Sequence, residues 1–169
     1  MAEIQRVDRN IVKQGKSYTL KILGLETNFS ENSQVSISGT QVLVNRMIFH
    51  SSEWIDAEIE VKSDAATGYR NLTVTTGLEV VTKTSALQVV ASNASVIDEV
   101  IPSAVLKNST VVLKIVGDNT WFYGTTPQIT PSDGITIKEI EINSPIECFV
   151  TIEISGGAEL GFRDINMVR

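Results

Sequence analysis

One cysteine, one histidine and four prolines are all that the 169 residues hold of those types. Cys148 by itself can form no internal disulfide and leaves no thiolate cluster for zinc. With His50 as the sole imidazole, nucleophilic catalysis by a Ser–His or Cys–His pair would hang on one position. Cations are few: 14 Lys and Arg against 20 Asp and Glu leave a net charge of −6, a field that repels phosphate. The densest cationic grouping is little more than Lys13 with Lys16, so nucleic acid is not an expected partner. No apolar run approaches membrane-spanning length, and no membrane insertion is expected. Met1 to Asn10 carries no apolar signal-peptide core, so the chain is either not exported by that route or is a piece of a longer one. Phosphate-cradling glycine loops, zinc spacings and dinucleotide fingerprints are missing too, and no cofactor is expected. What is present is 42% hydrophobic residues, enough for a core and too many for a disordered tail.

The chain repeats itself. Gly24, in Leu20-Lys21-Ile22-Leu23-Gly24, lies 93 residues before Gly117, in Leu113-Lys114-Ile115-Val116-Gly117. The same offset, without gaps, pairs Val7 with Val100, Val12 with Val105, Thr27 with Thr120 and Phe29 with Phe122. It goes on to pair Ile59 with Ile152, Glu60 with Glu153, Ala65 with Ala158, Gly68 with Gly161 and Arg70 with Arg163. The expected boundaries are 1–92 and 93–169. The first copy continues past Arg70 to Val90, whereas Arg169 already matches Thr76. Nothing equivalent to Gly77–Val90 follows, so the second copy is expected to lack its last strand.

Each copy alternates apolar and polar residues with period two, and no helical period persists. Ile55, Ala57, Ile59 and Val61 form one inward set, and Cys148, Val150, Ile152 and Ile154 form its equivalent. About seven short strands in about 90 residues, punctuated by Gly, Asn, Ser and Asp, predict an all-β sandwich. The predicted cores are Leu20, Ile22, Phe29, Ile59, Leu72 and Val74, and Leu113, Ile115, Phe122, Cys148, Ile152 and Ile165. Gly24 is read as permitting a bend after its strand, and the Ala-x-x-Gly-aromatic-Arg segments as turn and core.

Three segments of the first copy, Gly15–Leu20, Gly24–Phe29 and Ala65–Gly77, resemble the IPT/TIG family of immunoglobulin-like domains, the type found in plexins and transcription factors. The second copy repeats them at Gly117–Phe122 and Ala158–Ile165, with Asn108 where the first has Gly15. The resemblance implies two tandem immunoglobulin-like β-sandwiches without the inter-sheet disulfide. It says almost nothing about a ligand. Some members bind DNA through basic loops, which this sequence lacks.

Candidate chemistry is sparse. Asp56, Glu58 and Glu60 share an outward strand face and read as solvated surface. Asp98 and Glu99 stand at the junction of the copies, without the ligand series that a calcium hinge needs. Cys148 falls on an inward face and reads as a buried thiol, so no enzyme is expected. Asn28, Asn71, Asn93 and Asn108 begin Asn-x-Ser/Thr triplets, which matter only in a eukaryotic secretory setting. The residues expected to bind are Trp121 and Tyr123, which flank Phe122 where the first copy has Asn28 and Ser30, together with the outward Trp54. Such aromatics stack on sugars and anchor protein interfaces. Both copies therefore read as a structural or binding part of a larger bacterial cell-surface or secreted protein, with protein or glycan partners. A virion or filament component and an enzyme's carbohydrate-binding accessory domain are the alternatives. A neighbour that complements the missing strand is a further expected partner.

Overall fold

Isoleucine, valine and alanine at every second position make one face of each long strand apolar, and burying those faces against each other builds the molecule. The computed structural model describes residues 1–124 and 127–168. It divides into two units, Met1–Ala94 and Ser95–Arg169. Every regular element among the described residues is a strand.

Unit 1 holds β1 (Glu3–Val7), β2 (Ile11–Lys13), β3 (Ser17–Leu25), β4 (Gln34–Ile37), β5 (Val42–Ser51), β6 (Trp54–Val61), β7 (Gly68–Thr76) and β8 (Glu79–Val90). They form two four-stranded sheets, β1-β3-β6-β5 and β2-β8-β7-β4. All pairs are antiparallel except β2 with β8, which run parallel. This is the strand order of an immunoglobulin-like sandwich. Its core draws on both sheets: Leu20, Ile22, Ile55, Ile59 from one, Val12, Leu72, Val74, Leu87 and Val89 from the other. Phe29 reaches the same core from a loop.

Unit 2 holds β9 (Val96–Ile101), β10 (Ser109–Asp118), β11 (Gln128–Ile129), β12 (Ile135–Ser144), β13 (Glu147–Ile154) and β14 (Met167–Val168). The sheet β9-β10-β13-β12 reproduces β1-β3-β6-β5. Its register is the same too: Val42 faces Val61 in unit 1, and Ile135 faces Ile154 in unit 2. Even the bulges recur, at Val44/Arg46 and at Ile137/Glu139. The second sheet does not recur in full. Among the described residues it consists of β11 and β14 alone. The core of unit 2 is correspondingly smaller, with Leu113, Ile115, Phe122, Cys148, Val150, Ile152, Ile154 and Ala158 buried. Ile165, expected in that core, is only partly buried against it.

Three further readings of the sequence are corrected. Gly24 lies inside β3 and makes no left-handed bend; that conformation falls on Glu26 and, in unit 2, on Asn119, each at φ 54. Tyr69 and Phe162 are exposed and belong to neither core. Asp98 and Glu99 lie within β9. By contrast, the exchange of Gly15 for Asn108 keeps one backbone shape, with φ 74 and φ 54 respectively, because Asn is among the side-chain-bearing residues that best tolerate it.

Candidate recognition site

The loop after β10 is shaped by a glycine that has no room for a side chain. A Cβ on Gly117 would stand 2.1 Å from Oγ1 of Thr120, and one on Gly24 would stand 2.1 Å from Oγ1 of Thr27. The threonine therefore folds back onto its own strand. The backbone N–H of Gly117 donates to the Ile146 carbonyl at 2.8 Å, and that of Phe122 to the Pro145 carbonyl at 2.8 Å. Gly24 to Glu53 and Phe29 to Ser52 are the matching bonds of unit 1. With its backbone pinned, Phe122 points into the core, and its neighbours on either side point away.

Those neighbours are Trp121, 56% exposed, and Tyr123, 45% exposed. Their rings meet edge to face, centroids 5.9 Å apart and planes at 89°. The Tyr123 hydroxyl reaches the Asn143 carbonyl at 3.4 Å. Beside Trp121 lies an open depression of about 200 Å³, lined by Val96, Ile97, Phe122, Pro127, Met167 and Val168 among others. The structure thus brings two of the three expected residues together at the edge of an apolar hollow.

Trp54 stands elsewhere, in unit 1. It is half-buried, stacked on His50 with centroids 4.1 Å apart, and has the Lys21 ammonium 4.2 Å from its ring centroid. Its indole N–H donates to Asp56 Oδ1 at 2.9 Å, while Asp56 Oδ2 is 2.9 Å from His50 Nε2. Strands β5, β6 and β3 each contribute to this cluster, which occupies much of the ring surface that a ligand would use. The His–Asp pair is bound up in it. Glu60, also on β6, pairs with Lys62 at 2.7 Å.

Cys148 is fully buried, and that burial, with the adjacent Glu147 charge, pushes its thiol pKa up. Glu147 itself is held below the usual carboxylate range by hydrogen bonds from Lys114 and Asn143. Among the described residues no group of three or more His, Cys, Asp and Glu is placed to hold a metal ion. No helix among them is long and apolar enough to cross a membrane.

Sequence reasoning missed two surfaces. One is the pair of repeated exposed aromatics, Tyr69 and Phe162, each followed by an arginine whose guanidinium closes its own turn. Arg163 donates to the carbonyls of Glu159 and Phe162 at 3.0 Å each, and Arg70 donates to those of Ala66 and Tyr69. The other is Val105–Leu106. Val12, paired beside β8, is 0% exposed, whereas Val105, its repeat partner, is 41% exposed and Leu106 is 80% exposed. The apolar character of these residues, at the position of β2, was the signal. Of the four Asn-x-Ser/Thr sites, Asn28 has its side-chain amide bound to Glu79, and Asn71 accepts the Ser85 N–H.

No protein-family model matches the chain, and no curated protein does. Among solved structures it is similar to the full extracellular region of plexin A4, at 16% identity and a TM-score of 0.44, covering 94% of this chain and 13% of that one. It is also similar to domains 5-6 of the S-layer protein SbsC, at 18% identity and a TM-score of 0.38, covering 95% and 88%. The titin domains Z1Z2 in complex with telethonin give 14% identity and a TM-score of 0.33, covering 91% and 82%. From the strand order, register and shared cores described above, the chain is an all-β protein of two tandem immunoglobulin-like sandwiches.

Proposed function

We propose that the chain is a pair of IPT/TIG-like modules, residues 1–92 and 93–169, with a non-catalytic structural and binding role in a larger bacterial cell-surface or secreted protein. Recognition of a protein or glycan falls to Trp121 and Tyr123. One observation carries this reading. Two large aromatics, orthogonal to each other and about half exposed, border an apolar hollow where unit 1 has Asn28 and Ser30. Aromatic rings lose little conformational entropy on binding and offer both stacking faces and a polar edge. Support for a non-catalytic role comes from the two most reactive side chains: the His50 ring is engaged by Trp54 and Asp56, and the Cys148 thiol is buried.

The test replaces both aromatics by their unit 1 counterparts, Trp121→Asn with Tyr123→Ser, and screens the wild type and the variant on a glycan array and a panel of extended peptides. Unit 2 should keep its stability to within about 0.5 kcal/mol, as surface changes do, while binding by the wild type is lost. Unfolding of unit 2 by this double change would identify the pair as packing residues and end the proposal.

A further inference from the structure

The two sheets of unit 1 turn opposite kinds of surface to solvent. Outward positions of the first sheet carry charge of both signs: Lys21 on β3, Arg46 on β5, and Asp56, Glu58 and Glu60 on β6. Across β4, β7 and β8 the second sheet carries none. Along β7, Leu72 and Val74 are buried, and the opposite phase presents Tyr69, Asn71, Thr73 and Thr75. Their cross-strand neighbours include Gln34 and Ser36 on β4 and Thr82 and Gln88 on β8. The charged residues of these strands turn elsewhere. Glu79 accepts from Asn28, Lys83 donates to the Ile4 and Gln5 carbonyls of β1, and Arg70 closes its own turn.

Much of the hydrogen-bonding capacity of this neutral face is unspent. Thr73 and Thr82 share one bond, Oγ1 to Oγ1 at 2.8 Å, and Asn71 Oδ1 accepts the Ser85 N–H at 3.0 Å, which leaves its amide N–H groups to donate. Among the described residues, the side chains of Gln34, Ser36, Tyr69, Thr75 and Gln88 make no hydrogen bond within the protein. Tyr69 is 64% exposed, yet its backbone is held: it pairs with Gln88, and its carbonyl accepts the Arg70 guanidinium at 2.9 Å. The ring is therefore presented on a fixed base, beside amides and hydroxyls.

We propose that the outer face of the β4-β7-β8 strands binds a neutral glycan, with Tyr69 as the stacking ring and Asn71, Thr75 and Gln88 as hydrogen-bonding groups. This is a second site, on unit 1, and goes beyond the one proposed for Trp121 and Tyr123. Charge complementarity selects the occupant, because a charged ligand finds no counter-charge on this face. Sugar hydroxyls both donate and accept, and hydroxyl and amide side chains meet them in both roles. A protein partner would need an apolar centre to bury. The exposed Leu78 and Val80 cannot form one with Tyr69. Val80 faces Thr75, six residues or about 20 Å along β7 from Tyr69, and polar residues fill the interval. That interval is a straight track for an extended saccharide chain, with outward side chains about every 7 Å along the strand.

The experiment titrates the isotope-labelled 169-residue chain with three neutral polysaccharides, dextran, mannan and laminarin, and with heparin as the anionic control. Saturable shifts at Tyr69, Asn71, Thr75 and Gln88 are expected with at least one neutral polymer, unchanged when salt is raised from about 0.05 to about 0.5 M. Tyr69→Ala should weaken that binding about tenfold or more. Gln88→Glu, equal in shape but without the amide donor, should weaken it as well. Three results overturn the inference: no shift of this face with any of the neutral polymers, shifts with heparin alone, or equal binding by both variants. Shifts of the same residues on concentrating the chain by itself would assign the face to a second copy, and overturn it too. If a neutral polymer moves only Trp121 and Tyr123, the unit 1 face falls and the unit 2 site stands. If it moves the Tyr69 face, and does so equally in the Trp121→Asn, Tyr123→Ser variant, the unit 1 face stands whatever becomes of the unit 2 site.

Discussion

Gly24 and Gly117 are the residues on which each loop geometry turns, and the reason is space rather than backbone freedom. Adding one methyl group at either would force it into the adjacent threonine. Gly24→Ala and Gly117→Ala should each destabilise their own unit by about 1–3 kcal/mol, the usual cost of overpacking. Part of that loss should return with Thr27→Ala or Thr120→Ala, measured by denaturant unfolding. Cys148 gives a second check. With its thiol buried and its pKa raised, it should react with a thiol reagent only as fast as unit 2 opens; rapid labelling of the native chain would contradict the register of β13. Glu147 fixes a sign. Its carboxyl pKa is lowered in the native state, so its contribution is complete above the unfolded value and disappears as pH falls through the lowered native one. Glu147→Gln should lower the stability of unit 2 at neutral pH, leave it nearly unchanged at acid pH, and so flatten the acid side of its profile.

At the scale of elements, the alternating strands were legible because burial has the same period as the residues. Ile55, Ala57, Ile59 and Val61, and their partners Cys148 to Ile154, are buried as the pattern requires. In the first sheet the 93-residue offset carried strand limits and bulges with it, since matching patterns place matching side chains across the same pairs. The aromatic pair beside Phe122 could be read for the same reason. What could not be read was the fate of loop and edge residues. Tyr69 and Phe162 follow a glycine turn; Tyr69 falls on the outward phase of β7, opposite the buried Leu72 and Val74, and reading that turn as core chemistry hid this. That His50 and Lys21 flank Trp54 depends on which strands lie beside β6, which composition does not reveal. The contrast between β2 and its counterpart is sharper. Val12 and Val105 occupy the same place in the repeat, yet only Val12 is in a strand paired with β8 and fully buried. Val12→Asp should therefore destabilise unit 1 by several kcal/mol, of order 3 or more for a buried unpaired charge. Val105→Asp should stay within about 0.5 kcal/mol. Equal losses in the two units, by calorimetry or chemical denaturation, would mean that Val105 is covered after all.

For the whole molecule, unit 1 has two strands, β2 and β8, without a counterpart among the described residues of unit 2, and β8 brings core residues of its own. In unit 1, Val81, Leu87 and Val89 on β8 are large apolar side chains that lie almost wholly out of water. Burial of each contributes about 1.5–3 kcal/mol, against a total of about 5–15 kcal/mol for a domain. Unit 2 should unfold first, in a separate transition that Cys148 alone among the side chains can report chemically. The direct test of an immunoglobulin-like sandwich open along β14 is to append a copy of Gly77–Val90 after Arg169 and follow Cys148 labelling through thermal unfolding. A two-stranded β11-β14 sheet that can take a further strand beside β14 predicts that the labelling midpoint rises by more than about 5 °C, since 1 kcal/mol moves a domain of this size by about 4–8 °C, while the unit 1 transition stays where it was. An unchanged Cys148 midpoint would mean that unit 2 already closes its own edge, and would contradict the account.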